Sequence, residues 1–170
     1  MLQHFNMFAH YNRWANALLY AEAARLTREE FNQPTGAFFG SLMATLNHLL
    51  VADRLWLHRF TGQGSVPARL DENLFPELAP LQAARKAEDE RIIDWVSGLN
   101  DGMLSGTFTY TPMTSTERVT QRLAPALAHV FNHQTHHRGQ AHMILTTLGK
   151  QSLALDLVYF QRSEEGQRWK

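Results

Sequence analysis

The run His129-Val130-Phe131-Asn132-His133-Gln134-Thr135-His136-His137-Arg138-Gly139-Gln140 decides how this chain is read. It sits inside a segment, about Ala124 to Leu148, whose apolar residues recur at helical spacing, yet residues 132 to 140 hold no large apolar side chain. With His137 set at zero and ~100° allowed per residue, Leu123, Leu127, Val130, Ala141, Ile144, Leu145 and Leu148 fall between about −20° and +80°. His137 lies inside that stripe and His133 at its edge, whereas His129 and His136 lie further out and His142 opposite. Two imidazoles four residues apart project from one helix face and can share one metal ion. Each buried ring has two nitrogens to satisfy, and an unpaired polar group costs ~1–3 kcal/mol. A shared ion satisfies both rings; the alternative is a pair of core histidines satisfied by protein neighbours.

Outward from this segment the periodicity predicts three more long helices. The first spans about Leu2 to Leu26, with Phe5, Phe8, Ala15, Leu18 and Leu19 on its apolar side. Thr27-Arg28-Glu29-Glu30 follows as a capping box that starts a short helical turn, and Gln33-Pro34-Thr35-Gly36 breaks the chain. The second, about Ala37 to Phe60, is apolar almost all round, with a narrow polar strip of Asn47, Arg54 and His58. Gly62-Gln63-Gly64 ends it, and a loop with prolines at 67, 76 and 80 leads to the third, about Leu81 to Leu99. There Ala84, Ala87 (or Ala83), Ile92, Trp95, Val96 and Leu99 form the stripe, and the charged run Arg85 to Arg91 is expected largely outside.

Asn100-Asp101-Gly102 stops that helix. Phe108-Thr-Tyr-Thr and Arg118-Val-Thr-Gln alternate on either side of Pro112, which reads as a small hairpin or extended loop before the fourth long helix. Gly149 ends the fourth helix, Asp156 can cap a short C-terminal helix with Leu157, Tyr159 and Phe160, and Ser163 to Lys170 reads as solvated. The fold class is all-α: one domain over residues 1–170, built as a four-helix bundle.

A functional metal site needs a third ligand. His48 is the best candidate, central in the second helix, off its polar strip and flanked by Ser41, Ala44 and Ala52, which leave room between helices. His58 lines up with the polar strip and reads as exposed; His4 and His10 read as surface or interface residues. Three imidazoles leave a coordination position for water or substrate, the pattern of a catalytic centre, whereas a structural zinc site is normally closed by a fourth protein ligand, for which His136 or Asp53 would be the source. There is no His-Glu-x-x-His and no pair of Glu-x-x-His motifs, so neither a zinc-protease nor a di-iron carboxylate signature is present. Asp53, Gln134, Asn132 and Arg138 are the candidates for orienting rings or substrate around the ion, with a solvated-surface role as the alternative for Asn132 and Arg138.

Composition narrows the class further. Sixteen Lys and Arg balance sixteen Asp and Glu, so the basic surplus of a nucleic-acid binder is missing. No apolar run is long enough to span a bilayer, and the N-terminal residues lack the pattern of a signal peptide, so the expectation is a cytoplasmic protein with no membrane partner. With no cysteine, there is neither a disulfide nor a thiol nucleophile, and any thiol chemistry needs a cosubstrate.

Four stretches, Tyr11-Asn-Arg-Trp-Ala-Asn16, Thr45-Leu-Asn-His-Leu-Leu-Val-Ala-Asp-Arg-Leu-Trp56, His129 to Gln140 and Leu155-Asp-Leu-Val-Tyr-Phe160, make the chain resemble the DinB/YfiT-like family of bacterial bundle proteins. The resemblance spans nearly the whole chain and implies a four-helix bundle, commonly a homodimer. It also implies a metal held by one histidine of the second helix and a later His-x-x-x-His pair, which fall here on His48, His133 and His137. The family includes metal-dependent transferases that use a low-molecular-weight thiol, and members named for induction by DNA damage, a stress context that does not imply DNA binding. The functional expectation is therefore a metal-dependent enzyme whose divalent ion, zinc or nickel and third iron, activates a bound water or thiol for hydrolysis or thiol transfer to a small molecule. The alternatives are a non-catalytic metal-binding stress-response protein and a metal-free bundle.

Overall fold

A computed structural model describes all 170 residues. Its long helices are α1 (Leu2–Ala23), α3 (Leu42–Thr61), α4 (Leu78–Ser97) and α6 (Leu123–Thr147), with short helices α2 (Arg28–Asn32), α5 (Asp101–Ser105) and α7 (Leu157–Arg162). Around the bundle the order is α1, α4, α3, α6, each packing on the next and α6 closing onto α1. An antiparallel hairpin, β1 (Thr107–Tyr110) with β2 (Val119–Arg122), lies between α5 and α6, as the alternation about Pro112 predicts, and pairs Thr107 with Arg122.

The helix ends follow local chemistry. Ser41 accepts from the Ala44 amide and starts α3; Gly62, at φ 71°, ends it in the left-handed conformation that costs glycine little. Thr27 and Glu30 make the expected capping box on α2. The second helix does not begin at Ala37: Gly36 and Gly40 take positive φ, and Ala37 bridges to Gly40 in a tight turn. That turn carries Phe39 back over α3. Pro80 lies within the first turn of α4, and Pro125 holds the same place in α6. No amide there needs an intrahelical acceptor, so proline is tolerated. Asn100, expected only as a stop, caps α5 by accepting from the Met103 amide.

The core comes in two apolar clusters. One holds Leu19, Leu42, Leu46, Leu49, Leu50, Leu81, Ile144 and Leu145; the other holds Phe5, Leu57, Ile92, Val96, Leu127 and Phe131. Every long helix contributes to both, and between its two contributions each carries buried polar residues: Asn12 and Asn16 on α1, Asp53 on α3, Arg85 and Asp89 on α4, Gln134 and Arg138 on α6. The bundle therefore has a polar layer across its middle. This corrects the expectation that Arg85 to Arg91 lies largely outside, since Arg85, Glu88 and Asp89 are buried while Ala87 is exposed. Periodicity scores charge as outward; here opposite charges from other helices meet it inside.

Asn47 is also buried, where it ties α3 to the loop before α4: its side chain donates to the Phe75 carbonyl and accepts from the Phe75 amide. The tail is less solvated than expected, with Trp169 packing against Phe160 at a centroid distance of 5.6 Å and Glu165 pairing with Arg13.

Candidate metal centre

At the height of the polar layer, but on the face between α3 and α6, three histidines converge. His48 comes from α3, about two turns after the Ser41 cap, and His133 and His137 come from successive turns of α6. Their ligand-capable nitrogens all lie within 4.8 Å of one another, so this group can hold a metal ion. His48 Nε2 and His133 Nε2 are 3.3 Å apart. Two nitrogens bound tetrahedrally to one ion, each at about 2.0–2.1 Å, also stand about 3.3 Å apart, so the spacing of the pair matches that of a shared zinc-like ion.

The other ring nitrogens are engaged. His48 Nδ1 is 2.8 Å from the Leu70 carbonyl, and His137 Nδ1 is 2.7 Å from Gln140 Oε1. Each oxygen can only accept, so both rings carry their proton on Nδ1 and present a bare Nε2 to the centre. Phe39 stacks on His48 at 4.0 Å between ring centroids and touches His137 at 5.5 Å, which fixes the His48 ring in its plane.

Electrostatics favours the neutral form of all three. Burial lowers the pKa of His48 and of His137. For His133, burial and then the neighbouring His137 and His48 lower it to about 3. Losing water penalises the imidazolium, and three such rings side by side would repel if charged. A neutral imidazole is the metal-binding form.

The remaining candidates sort by place. Asp53 and Gln134 are buried beside the triad's helices but bond to each other at 2.6 Å, with Gln134 also donating to the Leu49 carbonyl. Asp53 further pairs with Arg85 at 2.7 Å, and Arg85 with Asp89 at 3.0 Å. Arg138 is only 2 % exposed, against the surface reading; it donates to Asn12 and Thr135 and lies over the Tyr11 ring. Asn132 is exposed. None of the four hydrogen-bonds a triad ring. The oxygens that do, Leu70 O and Gln140 Oε1, escaped sequence reasoning, although Gln140 sits three residues after His137 on the same helix face.

His136 and His129 face outward, as the projection requires, and His142 Nε2 accepts from the Leu153 amide at 2.9 Å to tie down the loop after α6. His58 is half-buried with Nδ1 unpaired, so its exposed reading does not hold. A cavity of about 220 Å³ opens beside the triad, walled by Ala52, Leu55, Trp56 and the hairpin tip Pro112 to Thr114, with His48 and His133 at one end.

Comparison with known proteins places this architecture. The chain is 25 % identical over 152 residues to Protein DinB of Bacillus subtilis (strain 168), covering 86 % of this chain and 87 % of that protein. In fold it is similar to a DinB-like protein from Bacillus cereus ATCC 10987, at a TM-score of 0.66 and 16 % identity, over 85 % of this chain and 90 % of the other. The DinB family model matches residues 1–169, and the chain belongs to the DinB family.

Proposed function

We propose that this protein is a metal-dependent enzyme in which His48, His133 and His137 hold one divalent ion, with a water or a low-molecular-weight thiol as the activated group. The observation that carries this reading is the set of three bare Nε2 or equivalent nitrogens within 4.8 Å, two of them on rings locked by an Nδ1 hydrogen bond. Zinc and nickel suit imidazole ligands best, and ferrous iron comes next. When bound, such an ion lowers the pKa of a water or thiol beside it toward neutrality and polarises an acceptor.

The chain's own residues do the rest. Leu70 O and Gln140 hold the His48 and His137 tautomers, so no reorganisation is needed to present lone pairs. Phe39 on one side and the apolar walls of the cavity on the other exclude water, which strengthens every electrostatic interaction inside. Since the chain has no cysteine, a thiol nucleophile must enter as a cosubstrate. The substrate is a small molecule, in keeping with the cavity volume of about 220 Å³. Against a purely structural metal stands the donor count: His136 is exposed and outside the cluster, and Asp53 is spent on Arg85 and Gln134, so three ligands leave a position open. A stress or DNA-damage context and a homodimer complete the reading, both resting on family resemblance; light scattering that gave a monomer would remove the dimer.

The test is metal content by plasma mass spectrometry on untagged protein purified without chelator, beside His133→Ala. The expected result is about one ion per chain, lost in the variant. Absence of metal from both, with no uptake on titration, would end the enzyme reading.

A further inference from the structure

The cavity beside the triad contains one formal charge, and nothing in the protein balances it. Of its 11 lining residues, Arg59 alone is a charged side chain by composition, the others being apolar, hydroxyl or histidine. Arg59 sits eleven residues after His48 on α3, three turns plus ~20°, so both project from the same face, separated by ~16 Å along the axis. Its guanidinium rests against two rings that meet edge to face, 4.6 Å from the Trp56 centroid and 4.4 Å from that of Tyr110. It makes no ion pair within 4 Å: the other α3 arginine, Arg54, meets Glu88, and Arg91 meets Glu88 too, but no acid approaches Arg59. No hydrogen bond to it is made either, and its Nε is buried without a partner. Burial lowers its pKa from the ordinary value, the signature of a cation short of water and short of a counter-ion.

A half-buried, unpaired cation is costly, and proteins seldom retain one without use. Two aromatic faces recover part of that cost and fix the plane of the fork, leaving its NH groups free to meet an oxyanion in bidentate fashion. The walls between Arg59 and His48 are Ala52, Leu55 and Trp56, one continuous apolar strip along α3.

We propose that Arg59 is the anion-recognition residue of this site, binding the carboxylate of an elongated organic acid whose apolar body lies on Ala52, Leu55 and Trp56 and whose far end reaches His48 and His133. A single guanidinium matches a single negative charge, which favours a monocarboxylate terminus. The acid is either the substrate or a thiol cosubstrate. The proposal deepens the enzyme reading and rests on it for the reaction, but the anion site itself is testable without metal.

The probes are straight-chain carboxylates from butanoate to octanoate and the matched primary alcohols, titrated against metal-stripped protein and read by tryptophan fluorescence, in which Trp56 reports. Carboxylates should bind at least tenfold tighter than alcohols of equal length, affinity should rise with chain length, and Arg59→Met should erase the carboxylate preference while keeping the length dependence. Arg59→Lys should retain part of the preference, and circular dichroism should show both variants folded. Equal binding of acid and alcohol, or a preference that survives in Arg59→Met, overturns the proposal. A second arm uses cobalt-loaded protein with ω-mercaptocarboxylates and ω-mercaptoalcohols, read by the thiolate–cobalt absorption band. A band that forms preferentially with the mercaptocarboxylates, through Arg59, assigns the carboxylate to the thiol cosubstrate; an equal band with both assigns it to the other substrate. Failure of the protein to take up cobalt removes the enzyme reading, while Arg59-dependent carboxylate binding to the stripped protein still upholds the anion site.

Discussion

Two polar clusters sit at the same height in this bundle and solve burial in opposite ways. The inner one joins Asp53, Arg85, Asp89 and Arg138 with Asn12, Asn16 and Gln134, and it mixes two acids with two cations. The outer one is three histidines, all presenting the same kind of atom. Charges of opposite sign can close on each other, as Arg85 does with Asp53 and Asp89, although Arg85 Nε, Asn16 Oδ1 and Gln134 Oε1 keep no hydrogen-bond partner. Three lone pairs cannot: at best His133 donates to His48 across 3.3 Å, and His137 Nε2 remains without a donor. The difference teaches that a buried polar group becomes a candidate site when its neighbours share its chemistry rather than complement it.

The comparison breaks most sharply at Arg85. Arg85→Met leaves Asp53 and Asp89 buried together without their shared cation, and loss of one partner of a buried ion pair costs ~3–5 kcal/mol. Burial raises the Asp53 pKa to about 6 even with Arg85 present, and burial raises that of Asp89. An acid whose folded pKa lies above its unfolded one takes up a proton more readily when folded. Its contribution is therefore full below the unfolded value and lost as pH rises through about 6. Removing the cation extends that window upward. Urea unfolding of Arg85→Met should show the large loss at pH 8 and a smaller one at pH 5. A loss under about 1 kcal/mol at pH 8 would mean that the inner cluster is not held by charge pairing.

The outer cluster should respond to something added. A ligand at 100 times its Kd stabilises the folded state by about 2.7 kcal/mol, and for a chain of this size each kcal/mol moves Tm by roughly 2–4 °C. Zinc or nickel should thus raise Tm by roughly 5–10 °C in scanning calorimetry, and by nothing in His133→Ala. Arg85→Met should keep the metal response as far as it folds, since Arg85 touches none of the triad. A His133→Ala variant with an undiminished response would move the metal elsewhere.

Gln140 and Gln134 sharpen the contrast because they are the same residue type on the same helix. Gln140→Ala frees His137 Nδ1 and should weaken metal affinity ~10–100-fold in a competition titration, with little effect on metal-free stability. Gln134→Ala should do the reverse: unchanged affinity, and a loss of ~1–3 kcal/mol as Asp53 Oδ1 and the Leu49 carbonyl lose the amide that bonds to both. Matching effects of the two substitutions would merge the clusters into one network.

Periodicity and turn chemistry carried the bundle far. The four long helices, the capping box on α2 and the Pro112 hairpin are all local signals, and so is the His133/His137 pair, since spacing alone puts two side chains on one face. What escaped were pairings between elements. Arg85 and Asp89 score as surface because a moment cannot see Asp53 on α3 or Asn16 on α1 waiting opposite. The pairing of Arg138 with Asn12, in place of either a role around the ion or a solvated surface, is hidden for the same reason, and the Leu70 carbonyl reaches His48 from a loop that no pattern places. Periodicity places Phe39 in the body of a helix, whereas Gly36 and Gly40 fold it into a turn and lay its ring on His48. Arg59 was legible in principle, eleven residues from His48, but only its missing acid makes it informative, and that is a property of the assembled fold.

The smallest expected effects are the most discriminating controls. His136 lies one residue from His137, its ring edge-on at 4.7 Å between centroids, yet it is exposed and makes only a 3.4 Å contact with Gln140. Asn132 lies one residue from His133 and is exposed too. By sequence distance both are as close to the triad as any residue can be; by helix geometry a neighbour in sequence is turned ~100° away. His136→Ala and Asn132→Ala should each change stability by no more than about 0.5 kcal/mol, the range of surface substitutions, and leave metal stoichiometry and affinity unaltered. A weakened affinity in His136→Ala would instead place a fourth imidazole on the ion. That would close the coordination sphere and shift the balance from an enzyme to a metal-stabilised binding protein, because an ion with four protein ligands has no position left for a substrate.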